Sequence, residues 1–314
     1  MKILFHTGQL NFRGTGVAVR DYARYNQEIL GNESVISYNS DSGPGSDGEN
    51  LPHVIEMFSK EFELRPVVKY EYDQVCKDID LAYFLRGGDI APLPTVTQGV
   101  VHSVFPRKPA YGHRFAYISE WLSQYMSNGE TPWVPHMINL PEPTEDYREY
   151  LGISKDKIVI GRYGGFHTFD LPFVHQAIID IVSTRNDIVF LLVHTQRFYD
   201  HPNIIYLDPI IDLQSKSNFI NTCNAFIHAR SHGESFGLAV AEPLWFNKPV
   251  LSWAGGADQH HVEILKNTNC LYSDGNDLKN KILNLKSFDK EYHTLVSRFS
   301  PELVIQQFKT VFLN

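Results

Sequence analysis

Residues 225–243 read Ala225-Phe226-Ile227-His228-Ala229-Arg230-Ser231-His232-Gly233-Glu234-Ser235-Phe236-Gly237-Leu238-Ala239-Val240-Ala241-Glu242-Pro243. Ala225 to Ala229 is an apolar run of strand length, Arg230 to Glu234 is polar, and the residues from Ser235 onward suit a helix. A buried strand that passes through a polar turn into a helix is the unit from which parallel sheets are built. At such a turn the first backbone N–H groups of the helix have no partner in the chain and carry partial positive charge. With the helix opening near Ser235, the N–H groups of Ser235, Phe236 and Gly237 are expected to face an anion, and a diphosphate suits the place. Glu234 and Glu242 would then lie roughly 12 Å apart along a helix, about the span from a sugar to a ribose across a diphosphate. Each carboxylate can accept hydrogen bonds from hydroxyls.

Working outward, the same alternation fills the chain. Ile158 to Arg162, Ile188 to His194, Ile204 to Leu207 and Val250 to Ser252 read as strands. Helices are expected around Pro172 to Val182, Ser215 to Asn221 and Leu238 to Phe246. The first half repeats the pattern, with strands at Ile3 to His6, Ser34 to Tyr38, Leu81 to Leu85 and Val96 to Val101 and a helix from about Val17 to Leu30. Pro135, Pro141 and Pro143 break the periodicity just before a helical segment expected at Glu145 to Leu151. The reading is an α/β protein of two Rossmann-like domains, residues 1–140 and 141–296, facing a central cleft, with residues 297–314 as a final helix. Ligands of such sheets lie beyond the carboxyl ends of the strands. The final helix opens well, with Ser300 as N-cap and Pro301 at its first position, and Leu303, Val304, Phe308, Val311 and Phe312 suggest one buried face. Residues 41–50 carry too many turn formers to pack and read as an exposed loop.

Composition removes several classes of function. With 28 basic against 36 acidic residues and a net charge of -8, the chain has no broad cationic face for nucleic acid. No apolar run approaches the roughly 18 residues of a membrane span, and the opening Met1 to His6 is too short for a signal peptide, so a cytoplasmic protein with at most peripheral membrane contact is expected. Three widely spaced cysteines, Cys76, Cys223 and Cys270, suggest neither a disulfide framework nor a zinc cage.

Between the first strand and first helix, Gly8 to Gly16 supplies Gly14 and Gly16, which would let backbone N–H groups approach a phosphate; a plain structural turn is the alternative. His228 and His232 have the spacing of a helical metal pair, but His228 ends a strand, where that spacing does not share a face. Asp78-Ile79-Asp80 precedes its strand and reads as solvated carboxylates. No metal site is expected.

Taken together, these segments resemble the retaining glycosyltransferases of GT-B fold, family four, whose signature is a Glu, seven residues and a second Glu. Asn247-Lys248-Pro249-Val250, Ile160-Gly161-Arg162, Ile118-Ser119-Glu120 and Val101-His102 extend the likeness. The resemblance implies that Glu234 faces the donor sugar, Glu242 the ribose, Arg162 the diphosphate and His102 the sugar. It places Gly14 and Gly16 on the phosphate side of the N-terminal domain and returns the last helix onto that domain. The co-substrate would be a UDP- or GDP-linked sugar with no resident cofactor, and the acceptor a glycan or other hydroxyl compound. The family's lysine about five residues after the arginine has no counterpart in Gly164 to Asp170, so Arg162, helped by Arg13 or Arg230 and by the helix start, is expected to offset the leaving-group charge. Three other readings remain open at this point. One is a nucleotide-sugar epimerase of the same fold, a second is an inactive donor-binding protein, and a third is an α/β-hydrolase with Ser235 in Gly233-Glu234-Ser235-Phe236-Gly237 as nucleophile.

Overall fold

The apolar runs pair side by side rather than across hairpins, because a helix or loop returns the chain to the same end of the sheet each time. The computed structural model describes residues 1–11, 14–41, 49–87, 90–285 and 291–314. Among these the chain forms two six-stranded parallel sheets. The first holds β1 (Lys2–Thr7), β2 (Glu33–Asn39), β3 (Glu63–Val67), β4 (Leu81–Arg86), β5 (Gln98–Ser103) and β6 (Arg114–Tyr117) in the order β3-β2-β1-β4-β5-β6. Its helices are α1 (Gly14–Glu28), α2 (Pro52–Ser59) and α3 (Glu120–Ser127). The second holds β7 (Ile158–Arg162), β8 (Ile188–Val193), β9 (Ile204–Leu207), β10 (Ala225–His228), β12 (Val250–Trp253) and β14 (Leu271–Tyr272), in the order β14-β12-β10-β7-β8-β9. A two-stranded parallel ladder joins β11 (Gly233–Glu234) to β13 (Asp258–Gln259). The helices of this half are α4 (Pro172–Thr184), α5 (Leu213–Thr222), α6 (Leu238–Trp245), α7 (His260–Leu265) and α8 (Gly275–Leu283).

Two compact units follow from this topology, Met1–Met137 with Phe299–Asn314, and Ile138–Arg298. In each, the strand order reverses once. β1 has β2 on one side and β4 on the other, and β7 has β8 on one side and β10 on the other. The crevice at the carboxyl end of such a reversal is where open parallel sheets hold ligands. The loops after β1, β4, β7 and β10 therefore carry the chemistry to be examined.

The second sheet is sandwiched by apolar helix faces. Val174, Ala177, Ile178 and Ile181 of α4 and Leu278 and Ile282 of α8 bury against Ile160, Phe190 and Leu192. The first unit is closed by α9 (Pro301–Phe308), which Ser300 caps by accepting the Leu303 N–H. Phe308 stacks on Tyr22 at 5.2 Å and lies 5.9 Å from Phe5, and Phe312 sits 5.5 Å from Tyr83. Burying an aromatic ring of this kind contributes about 2–3 kcal/mol. Arg114 fixes the last turn by donating to the Phe312 carbonyl at 2.7 Å.

Some expectations move. The segment Glu145 to Leu151 forms turns rather than a helix. α1 begins at Gly14, not Val17, so Gly14 and Gly16 belong to its first turn. In α9 the buried positions are Val304, Ile305 and Phe308, and Leu303 points to solvent.

Candidate functional site

The loop after β10 is shaped by glycines. Gly233 has φ +80° and pairs with Asp258 across the β11–β13 ladder, and a Cβ there would stand 1.9 Å from the Asp258 carbonyl oxygen. Only glycine tolerates both the dihedral and the contact. Gly237 also sits at positive φ, +88°, and a Cβ on it would come within 2.9 Å of Glu234 Cβ. Gly237 is the N-cap of α6, and its carbonyl receives the Val240 and Ala241 N–H groups. The helix thus starts at Leu238, three residues later than the sequence suggests at the site. Leu238 and Ala239, rather than Ser235 and Phe236, lead the helix with their N–H groups. Phe236 is instead a buried anchor that stacks on His260 at 5.2 Å and accepts a hydrogen bond from His260 Nδ1 at 2.7 Å. Glu234 lies on β11, so its separation from Glu242 is not a run along one helix.

Glu234 is held from two sides. His228 Nε2 lies 3.1 Å from its Oε1, and Arg230 Nη1 donates to Oε2 at 3.0 Å. Burial alone would push the Glu234 carboxyl up, but the hydrogen bond with His228 and the charges of His228, Arg230 and His261 outweigh it and leave the group below its ordinary value. His228 in turn meets Ser252 Oγ at 2.8 Å through Nδ1, so a buried serine, a histidine and a carboxylate form one chain across β12, β10 and β11. Ser252 is fully buried and cannot serve as a nucleophile. Beside this chain, burial holds His260 and His261 at about 4, so both rings are neutral near pH 7.

Arg162 ends β7 at the strand reversal. Its guanidinium donates to the carbonyls of Val193 (3.0 Å), His194 (2.9 Å) and Gly165 (2.6 Å) and to the hydroxyls of Thr195 (2.9 Å) and Thr168 (2.8 Å). Burial lowers it to about 10, and it remains a cation. Its N–H groups are taken up by the turns after β7 and β8, so it fixes those turns and lends its field to the site. Glu242, in α6, is nearly buried, and its Oε1 accepts from Lys216 Nζ of α5 at 2.5 Å, while the ammonium lies 4.6 Å from the centre of the Tyr163 ring. The sequence does not single out Lys216, because nothing in α5 reveals that this one side chain turns inward to Glu242.

The remaining expectations separate. His102 is fully buried in the first unit, with Nδ1 2.7 Å from Tyr83 Oη, Nε2 3.3 Å from the Tyr117 carbonyl and the Phe312 ring 5.4 Å away. Within this unit it is packed as a core residue, under the face that the last helix covers. Gly14 is exposed at the start of α1, and Gly16 is buried, where a Cβ would meet the Asn11 carbonyl oxygen at 3.1 Å. Arg13 lies outside the described residues, as does most of the 41–50 loop. Asp78 is occupied by ion pairs with Arg65 (2.6 Å) and Lys2 (2.9 Å), in keeping with surface carboxylates.

No family model matches the chain and no curated protein matches it. Solved structures do. Anabaena Alr3699/HepE in complex with UDP-glucose superposes with a TM-score of 0.73 at 13% identity, covering 99% of this chain and 98% of that one. A glycosyltransferase from Rickettsia africae ESF-5 gives 0.69 at 13% identity over 99% and 97%, and the apo lipopolysaccharide outer core galactosyltransferase WaaB 0.64 at 11% over 100% and 99%. At these identities the likeness is one of fold. The fold is GT-B, α/β with two Rossmann-like parallel sheets of six strands. Among the described residues no helix is long and apolar enough to cross a membrane.

Proposed function

We propose that this chain is a glycosyltransferase that moves a sugar from a UDP- or GDP-linked donor to a glycan or other hydroxyl acceptor, with retention of anomeric configuration and with organic cations rather than a metal facing the leaving diphosphate. The observation that carries this reading is Glu234, ionised and held by His228 and Arg230 at the strand reversal, immediately ahead of the N-terminus of α6. A carboxylate clamped in this way is poor as a free nucleophile but well placed to accept a sugar hydroxyl, since each oxygen keeps lone pairs. Leu238 and Ala239 supply backbone N–H groups to the phosphates, and Arg230 and the field of Arg162 oppose the charge that grows on the leaving oxygen. Glu242, with one oxygen fixed by Lys216, offers the other to the ribose hydroxyls.

In the step itself the bond from the anomeric carbon to the phosphate oxygen breaks, and its electron pair stays on the diphosphate. The acceptor hydroxyl oxygen bonds to the carbon on the same face and passes its proton to the departing phosphate. The hydrolase reading has less support, because the acid–histidine–serine chain ends at buried Ser252 rather than at Ser235.

The test is a panel of nucleotide sugars with the native chain and Glu234→Gln, which preserves shape and hydrogen bonding. We expect transfer or slow donor hydrolysis by the native chain and a loss of about 100-fold or more in the variant, with UDP or GDP affinity within a few-fold. Unchanged turnover in Glu234→Gln removes the site assignment. Interconversion of donors without transfer indicates an epimerase, and binding without turnover indicates a donor-binding protein.

A further inference from the structure

The carboxyl edge of the first sheet holds a second arrangement of groups that the scheme above does not use. His6 of β1 is in register with Ser37 of β2 and Phe84 of β4. Two residues further along each chain, on the same face of the sheet, stand Asn39, Gly8 and Arg86, with Gly8 in the middle. The Asn39 N–H donates to the Gly8 carbonyl at 3.1 Å, which fixes this level. Among the described residues, a Cβ placed on Gly8 would meet a single atom within 4 Å, Asn39 Nδ2 at 4.0 Å. Among the described residues the space over Gly8 is therefore open, with the Asn39 amide at its edge.

Arg86 is held by aromatic side chains. Its Nη2 donates to Tyr72 Oη at 3.0 Å, and the guanidinium carbon lies 4.8 Å from the centre of the Phe84 ring and 5.7 Å from that of Tyr72. No carboxylate pairs with it among the described residues. Arg86 Nε and Asn39 Oδ1 are both buried and without a hydrogen-bond partner. Beneath them, burial and the nearby charge of Arg86 keep the His6 ring well below its ordinary value, so it stays neutral and adds no competing charge. A guanidinium oriented by ring faces and left without an acid is preorganised for a planar or tetrahedral oxyanion.

We propose that the niche over Gly8 binds the carboxylate or phosphate of an acidic sugar, and that the acceptor of this chain is an acidic glycan rather than a neutral one. The anion pairs with the Arg86 guanidinium. That the ligand is the acceptor rests on the glycosyl-transfer reading; the preference of the niche for an anion does not.

Calorimetric titration of the full chain with glucose, glucuronate, glucose 6-phosphate, UDP and GDP tests this, alongside Arg86→Gln, which removes the cation, and Asn39→Asp, which adds a carboxylate on the other side of Gly8. We expect one of the two acids to bind the native chain at least 10-fold more tightly than glucose; tighter glucuronate identifies a carboxylate ligand and tighter glucose 6-phosphate a phosphate ligand. Both variants should bring acid and neutral sugar within twofold of each other while UDP affinity stays unchanged. Equal binding of the three sugars by the native chain, or an acid preference that survives in either variant, overturns the proposal. Failure of both UDP and GDP to bind the native chain while the acid preference persists removes the donor reading and leaves the niche standing.

Discussion

The carboxyl edges of the two sheets share a topology and differ in how they treat charge. In the second unit, Glu234 faces Arg230 and His228, and Glu242 faces Lys216. In the first unit, Arg86 rests on aromatic rings and its neighbour His6 is kept neutral. Paired charges on a rigid edge suit a ligand rich in both hydroxyls and phosphates, whereas a cation held on aromatic rings, with no acid paired to it among the described residues, suits one anionic group. The same fold thus carries two differently charged edges through a handful of side chains, and function must be read from those rather than from the sheet order.

The comparison breaks most visibly at the glycines. Gly233→Ala places a Cβ against the Asp258 carbonyl at positive φ, whereas Gly8→Ala meets nothing closer than 4.0 Å. We expect Gly233→Ala to lose about 3 kcal/mol or more of stability and nearly all nucleotide binding, and Gly8→Ala to stay within about 1 kcal/mol. Urea titration with a parallel UDP titration checks both, and similar losses in the two variants would erase the contrast between a crowded edge and an open one.

The ion pairs sharpen it next. Lys216→Met leaves the nearly buried Glu242 unpaired, at a cost of about 3 kcal/mol, while Lys216→Met with Glu242→Leu should recover most of the loss. The equivalent double-mutant cycle on Arg65 and Asp78, where the carboxylate side chain is 53% exposed, should give a much smaller coupling. Equal couplings would mean that burial does not set the strength of these pairs.

Acid acts most gradually. His260 and His261 are held at about 4 in the fold, below the ordinary imidazole value, so the unfolded chain takes up protons first as pH falls. Their contribution is complete above about pH 6.5 and is lost as pH falls toward 4, at up to about 1.4 kcal/mol per pH unit for each ring. His261→Asn should flatten the stability profile between pH 5.5 and 4.5 by one proton; an unchanged slope would show that this ring is not buried in its neutral form.

Much of this molecule was legible in the residues. β7 and β9 were placed to the residue, because apolar runs bounded by turn formers admit one reading. β3 escaped because Pro66 lies within it, which is tolerated only because β3 is an edge strand, and edge status is a property of the assembled sheet. At the site, the segment 225–243 and a helix from Leu238 were legible, and only the earlier opening expected at Ser235 does not hold. Gly237 reads as a helix-compatible small residue until its contact with Glu234 is seen to demand positive φ. Lys216 and Arg86 could not be found as functional candidates, since a lysine amid α5 or an arginine ending a strand looks the same whether or not an acid awaits it across the fold.

The first unit is not one continuous piece of chain: residues 138–298 intervene before Phe299–Asn314 returns to complete it. During synthesis the second unit leaves the ribosome whole, while Phe5, Tyr22 and Tyr83 wait for Phe308 and Phe312. At ordinary elongation rates that interval is about 10–30 s. For that time a patch of aromatic core faces water or a chaperone, so the nascent chain passes through its most aggregation-prone state just before the last helix arrives.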